Sequence, residues 1–285
     1  MLQIKDLTFS YSKKQAPVLG NVNLTLEDGR IYGLLGLNGT GKSTMLYLIS
    51  GLLRPTLGSI SYNGEDVTQR LPSTLEDMFI VTEEYDLPAM SVEEYCRQNG
   101  QFYPHYSQKL FDKCMAAFEL TNTKTKLNKM SMGTKKKVYI SFAIATQTKL
   151  LLMDEPTNGL DIPSKAQFRK AISLGMNDDR TVIISTHQVR DVDSILDHIV
   201  MIGRNEVLLN ETIASIEQKL SFEERPAQEP LDDALFSMPS VRGNAVLTEN
   251  TAGEESTINL ELLFNGVVAE TDRIKAIFAK KQTNN

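Results

Sequence analysis

The segment Gly36-Leu37-Asn38-Gly39-Thr40-Gly41-Lys42-Ser43 decides how this chain is read. It satisfies the pattern G-x-x-x-x-G-K-[ST], in which each residue type has a physical task. Glycines let successive backbone N–H groups turn inward around phosphate oxygens with no Cβ in the way. Asn38, Gly39, Thr40 and Gly41 supply that nest, and a helix opening near Lys42 aims its positive end at the same oxygens. Lys42 adds a point charge for the terminal phosphates, and the Ser43 hydroxyl is a ligand for Mg²⁺. Thr44 continues the helix beside the α-phosphate region. The flanks supply the required context. Ile31 to Leu35 is a short apolar strand, and Met45, Leu46, Ile49, Leu52 and Leu53 recur at helical spacing.

Outward from this loop, Leu2 to Ser10 and the alternation Val22, Leu24, Leu26 predict strands, with a turn at Asp28-Gly29 and another small strand between Gly58 and Gly64. From Ser91 to about Lys129 the spacing becomes helical, with Ser91 and Ser107 as caps, and reads as a helical insertion. Leu150 to Met153, Val182 to Ser185 and His198 to Ile202 are apolar runs suited to strands covered on both faces. Helical patterns between them imply a parallel sheet with crossover helices. The stretch Glu223 to Asp233, with Pro226, Pro230 and many charges, reads as a linker. Beyond it Ala245 to Thr248 and Ile258 to Phe264 are strand-like, and a closing helix is expected over Glu270 to Lys280.

A second chemical signal ends the run Lys149-Leu150-Leu151-Leu152-Met153-Asp154-Glu155. A parallel strand delivers its last residues to the sheet edge where nucleotides sit. Asp154 is placed to hold Mg²⁺ through its hydration shell, and Glu155 to polarise an attacking water. His187, after the strand Thr181 to Thr186, is expected at the same edge, contacting the γ-phosphate and orienting the water and Glu155.

The chain has 285 residues, a hydrophobic share of 41% and a net charge of −6 from 36 acidic and 30 basic residues. That balance argues against a nucleic-acid partner, whose footprint is a basic surface. Cys96 and Cys114 are too few and too far apart for a metal site or a disulfide scaffold, and read as buried thiols. The opening MLQIKDLTFSY is strand-like rather than a leader, and no run approaches the roughly 18 apolar residues of a membrane span. A cytoplasmic chain that reaches a membrane only through a partner is expected.

These residues, in this order, resemble the ATP-binding subunit of ABC transporters. Met130-Ser131-Met132-Gly133-Thr134 looks like the family's LSGGQ signature and lies about 23 residues before Asp154. Asp154-Glu155-Pro156 is followed by Thr157-Asn158-Gly159-Leu160-Asp161, which is similar to the D-loop. The resemblance implies an α/β fold: a P-loop NTPase cassette with a parallel core sheet, an N-terminal antiparallel β subdomain and a helical subdomain. It covers residues 1–220, with the helical insertion at about 85–135. A linker at 221–233 and a small α+β extension at 234–285, of unassigned role, follow. The resemblance further implies that Tyr11 stacks on adenine, that ATP and Mg²⁺ are bound, and that ATP is hydrolysed. ATP would lie between two copies, with Ser131 and Gly133 of one donating to the γ-phosphate held by the other, and Asp161 coupling the sites. An ATP-dependent homodimer on the cytoplasmic face of the membrane, working with separate transmembrane permease subunits, is the expected assembly.

Two positions depart from the family pattern. Met132 and Thr134 replace a glycine and the glutamine of the signature, and Thr82-Glu83-Glu84 stands where the Q-loop glutamine belongs. Glu83 takes that position as a further Mg²⁺ or water ligand, with Thr82 next. Both departures, with Phe102-Tyr103-Pro104, resemble the ABC-2 exporter type. The alternatives are a soluble ABC ATPase with a non-transport role and a regulatory protein that binds ATP without hydrolysing it. The first lacks a second cassette or a long coiled coil here, and Glu155 with His187 speaks against the second.

Overall fold

The computed structural model describes residues 1–251, 253 and 256–279. The chain opens with β1 (Leu2–Phe9) and β2 (Leu19–Leu26), antiparallel neighbours that bury their leucines. β3 (Ile31–Leu35) is buried throughout and runs into the glycine loop, from which α1 (Lys42–Ile49) starts. β4 (Leu57–Tyr62) and the two-residue β5 (Glu65–Asp66) complete an antiparallel sheet in the order β2-β1-β4-β5. A short α2 (Pro72–Glu76), with proline in its first turn, leads into β6 (Met78–Val81).

Two helices follow, α3 (Val92–Gly100) and α4 (Gln108–Ala117). Ser91 and Ser107 cap them, their side chains accepting the N–H groups of Glu94 and Leu110 as expected. Then come α5 (Met132–Ala145), β7 (Leu150–Asp154), α6 (Ile162–Gly175) and β8 (Thr181–Thr186). β9 (His198–Ile202) and β10 (Val207–Thr212) close a six-stranded sheet in the order β10-β9-β3-β8-β7-β6, parallel except for the β10 edge.

This central sheet divides two apolar layers, because adjacent strand residues face opposite ways. Leu150 and Leu152 of β7 join α1 and the antiparallel sheet on one side. Leu151 and Met153 join α4, α5 and α6 on the other. Burial on both faces explains why these strands read as unbroken apolar runs.

Four expectations need correction. The first helix stops at Ile49 rather than including Leu52 and Leu53. Gly51 is left-handed there (φ 68°), and a Cβ on it would lie 2.4 Å from the Val67 carbonyl oxygen. Between β8 and β9 the connection is two short 3₁₀ turns, Val189–Asp191 and Asp193–Ile195, and not a crossover α-helix. The stretch expected as a linker begins as a strand. After α7 (Ile213–Lys219), β11 (Leu220–Arg225) pairs along its length with the later strand Gly243–Glu249. The two-pronged bond from Arg225 to Asp233, at 2.7 and 2.8 Å, folds the charged loop back beside it.

β12 (Phe236–Ser240) and β13 (Gly243–Glu249) complete a small antiparallel sheet, β11-β13-β12. The fourth correction is α8 (Leu260–Ala269), which replaces the strand expected over Ile258 to Phe264. A short apolar run is ambiguous by pattern alone. Here the Asn259 side chain caps the helix by accepting from Leu262 N–H, and Leu260, Leu263 and Val267 bury one stripe. α9 (Thr271–Ala279) agrees with the closing helix, whose last expected residue, Lys280, lies outside the described residues. Among the described residues no helix is long and apolar enough to cross a membrane.

Candidate nucleotide site

Strand register brings the site together. Leu35 of β3 pairs with Thr186 of β8, and Asp154 of β7 pairs with Ser185. Gly36, His187 and Glu155 each follow directly, so the glycine loop, the histidine and the acid leave one sheet edge side by side. In the loop, Gly39 and Gly41 are left-handed, at φ 79° and 99°, a conformation that side chains resist. Lys42 is buried, and its ammonium donates to the carbonyls of Gly36 (2.8 Å) and Leu37 (3.3 Å), closing the loop on itself. Burial pushes its pKa below the usual lysine value, and the carboxylates of Glu155, Asp154 and Glu83 oppose that shift.

Glu155 lies 4.0 Å from the Lys42 ammonium, and its carboxylate meets His187 Nδ1 at 2.8 Å. Its backbone is left-handed (φ 45°), unusual for a residue with a Cβ, and turns the side chain off the strand line. The Glu155 N–H is held by both the carbonyl and the hydroxyl of Ser185, at 3.1 and 3.2 Å. The Ser185 hydroxyl also donates to Asp154 Oδ1 at 2.5 Å. The other Asp154 oxygen, Oδ2, is buried with no hydrogen-bond partner among the described residues. A buried carboxylate oxygen without a donor is costly unless a cation satisfies it, which suits Mg²⁺ at this edge. Ser43, half-buried in the first turn of α1, is the hydroxyl expected to share it.

Tyr11, 59% exposed, follows β1, and its hydroxyl meets Thr44 Oγ1 at 2.9 Å. An exposed ring tied to the phosphate loop is a surface on which a base can stack. The exposed Glu83 accepts from Asn158 Nδ2 at 2.8 Å, whereas the Thr82 hydroxyl donates back to the Glu84 carbonyl. Of the two, Glu83 is the one that reaches toward the turn after β7.

Ser131 caps α5 by accepting the Thr134 N–H (3.2 Å), and the neighbouring Met132 is 67% exposed. A Cβ on Gly133 would sit 4.0 Å from the Gly159 carbonyl oxygen, so the start of α5 flanks the turn at Gly159. Asp161 caps α6 through Ser164, whose hydroxyl and N–H hold its carboxyl below the usual range. Among the described residues no hydrogen bond joins Ser131, Gly133 or Asp161 to the loop 36–44. Ser131 and Asp161 stand at the N-termini of α5 and α6.

Sequence reasoning missed three contributors. Ser185 was legible only as a buried polar residue ending an apolar strand. Asn158 lies in the D-loop-like run and Lys136 just after the signature-like segment, but neither pattern signals their contacts, and only the folded chain brings Lys136 Nζ to the carbonyls of Glu155 (2.9 Å) and Asn158 (2.8 Å).

Residues 19–158 match the family model described as ABC transporter. The lantibiotic transport ATP-binding protein SrtF of Streptococcus pyogenes is 30% identical over 216 residues, which cover 73% of this chain and 90% of that protein. The chain belongs to the ABC transporter family. It is one of that family's ATP-binding, ATP-hydrolysing subunits. ABC transporter ATP-binding protein NatA of Bacillus subtilis (strain 168) is 29% identical over 226 residues, covering 76% of this chain and 91% of that one. The solved dimeric structure of MJ0796, a bacterial ABC transporter cassette, superposes with a TM-score of 0.66 at 25% identity, over 75% of this chain and 99% of that one. These cassette likenesses agree with a parallel core sheet flanked by an antiparallel and a helical subdomain.

Proposed function

We propose that two copies of this ABC transporter subunit clamp two Mg-ATP molecules, and that hydrolysis drives export through separate permease subunits at the cytoplasmic face of a membrane. The observation that carries the chemistry is the convergence of Lys42, Glu155 and His187 at one sheet edge, beside the unpartnered oxygen of Asp154. Phosphoryl transfer is mostly positioning and charge stabilisation, and these residues supply both. The N–H groups of Asn38 to Gly41 and the Lys42 ammonium bind the phosphates, and Tyr11 stacks on the base. Glu155 accepts a hydrogen bond from the attacking water, and His187 holds Glu155 and reaches the γ-phosphate. Ser43, Asp154 and Glu83 would hold Mg²⁺, which when bound supplies the positive charge that offsets the developing charge on the phosphates.

The dimer reading rests on the separated half-site. Ser131 and Gly133 stand at a helix N-terminus, where donors and dipole favour an anion, yet among the described residues they make no hydrogen bond to their own phosphate loop. A second copy can bring them to its ATP, with Asp161 between the two sites. The MJ0796 cassette is dimeric and the SrtF protein belongs to lantibiotic transport, which supports this assembly and export. Glu83 and Met132 support the same branch.

The test uses the purified chain and its Lys42→Ala variant. ATP turnover should fall at least about 100-fold in the variant. Equal rates would end this reading of the loop. Expression of the chain with its candidate permease, followed by membrane fractionation and vesicle transport assays, tests assembly and direction.

A further inference from the structure

We propose that Lys136 is a positioning residue that locks the turn carrying Glu155 and links it to the signature helix. Lys136 sits in the second turn of α5, the helix whose tip bears Ser131 and Gly133. It is only 6% exposed, a rare state for lysine unless its charge is matched. Its ammonium donates to the Glu155 carbonyl at 2.9 Å and the Asn158 carbonyl at 2.8 Å. The Asn158 N–H also donates to the Glu155 carbonyl at 3.1 Å, so Lys136 closes both ends of one four-residue turn.

That turn needs an external hold. Glu155 keeps a left-handed backbone (φ 45°) that a residue with a Cβ resists. Ser185 grips its N–H side, and Lys136 grips its carbonyl side. With both peptide groups fixed, the Glu155 carboxylate is aimed at His187. The same turn sends the Asn158 amide to Glu83, so one ammonium ties together the signature helix, the acid and the loop after β6. In the dimer, seating of the partner's ATP on Ser131 and Gly133 would reach this chain's own Glu155 through α5 and Lys136.

The inference rests on the reading of Glu155 given above, and the experiment separates the two. Lys136→Met keeps the stem and removes the donors, whereas Lys136→Arg restores donors to both carbonyls. Steady-state ATP hydrolysis by the full-length chain should show kcat lowered about 10-fold or more in Lys136→Met, with KM for ATP within about twofold of the parent. Lys136→Arg should recover to within about threefold of the parent. If Lys136→Met does not fold, Lys136→Leu, which also lacks a donor, takes its place in the comparison. An unchanged kcat in the donor-deficient variant, or an arginine variant as slow as it, overturns the inference. The Glu155→Gln variant is assayed alongside. If that variant turns over normally, the reading of Glu155 fails first.

Mixed dimers give the direction. One dimer pairs a Lys136→Met protomer with a Glu155→Gln protomer, so the only competent Glu155 lies in the chain that has lost the lysine. The second pairs the parent with a protomer carrying both changes, so the competent Glu155 keeps its own Lys136. Slow turnover in the first and faster turnover in the second supports action within one chain, and equal rates overturn it.

Discussion

His187 Nδ1 lies 2.8 Å from Glu155 Oε1, although 32 residues and a whole crossover separate them in the chain. The contact exists because β7 and β8 are parallel neighbours in fixed register, so the residues that follow them share one edge. Glu155→Gln removes the carboxylate charge but keeps the shape. ATP turnover should drop by about 100-fold or more, while ATP-dependent dimers accumulate in size-exclusion chromatography. His187→Ala should slow turnover by a similar factor. Full activity in either variant would count against the pair.

Tyr11 presents an exposed ring beside the start of α1. Base stacking on an aromatic side chain contributes about 1–3 kcal/mol. Tyr11→Ala should therefore raise the KM for ATP by roughly tenfold, and Tyr11→Trp should preserve it. Nucleotide titration by fluorescence or calorimetry checks this, and an unchanged affinity in the alanine variant removes Tyr11 from the base site.

Arg180 is a buried cation that serves structure. Its guanidinium donates to the carbonyls of Ala143, Ile144 and Gly175, at the C-terminal ends of α5 and α6. Burial pulls its pKa down to about 10, yet the group stays charged at neutral pH. Arg180→Met should destabilise the fold by on the order of 3 kcal/mol, from lost charge-assisted hydrogen bonds. Arg180→Lys should recover less than half, because one ammonium cannot span the guanidinium's fork. Denaturant melts measure both.

Burial pushes the Cys96 thiol up to about 11 and the Cys114 thiol up to about 12. Neither should react with a chromogenic thiol reagent at pH 8 until the chain unfolds, when both should. Below about pH 9 both thiols are neutral in either state, and between there and pH 11 to 12 only the unfolded chain ionises. Their contribution to stability is complete at neutral pH and declines as pH rises through that window. Prompt reaction of the native chain would show the thiols to be accessible.

The extension after α7 shares a single apolar cluster with the cassette, since Leu247, Leu263 and Val267 lie in the same core as Val189, Val192 and Ile216. Arg190, three residues past His187, is ion-paired with Glu261 of α8. Truncation after Lys219 should therefore lower the melting temperature by several degrees and expose apolar surface to a hydrophobic dye. A truncated chain melting like the parent would mark the extension as an independent unit.

Local chemistry was legible without the fold. The glycine nest, the caps at Ser91 and Ser107 and the acids ending a strand depend on neighbours a few residues away, and short-range sterics and hydrogen bonds write them into the order of residues. Pairing across the chain was not. The left-handed turn at Glu155, the grip of Ser185 on Asp154 and the reach of Lys136 all depend on strand register and helix packing, which carry no periodic signature. The same limit explains α8, because a short apolar run becomes helix or strand according to the surface it meets. Sequence order determined which chemical groups this protein carries, and tertiary packing decided their aim, because direction is a property of contacts between distant segments.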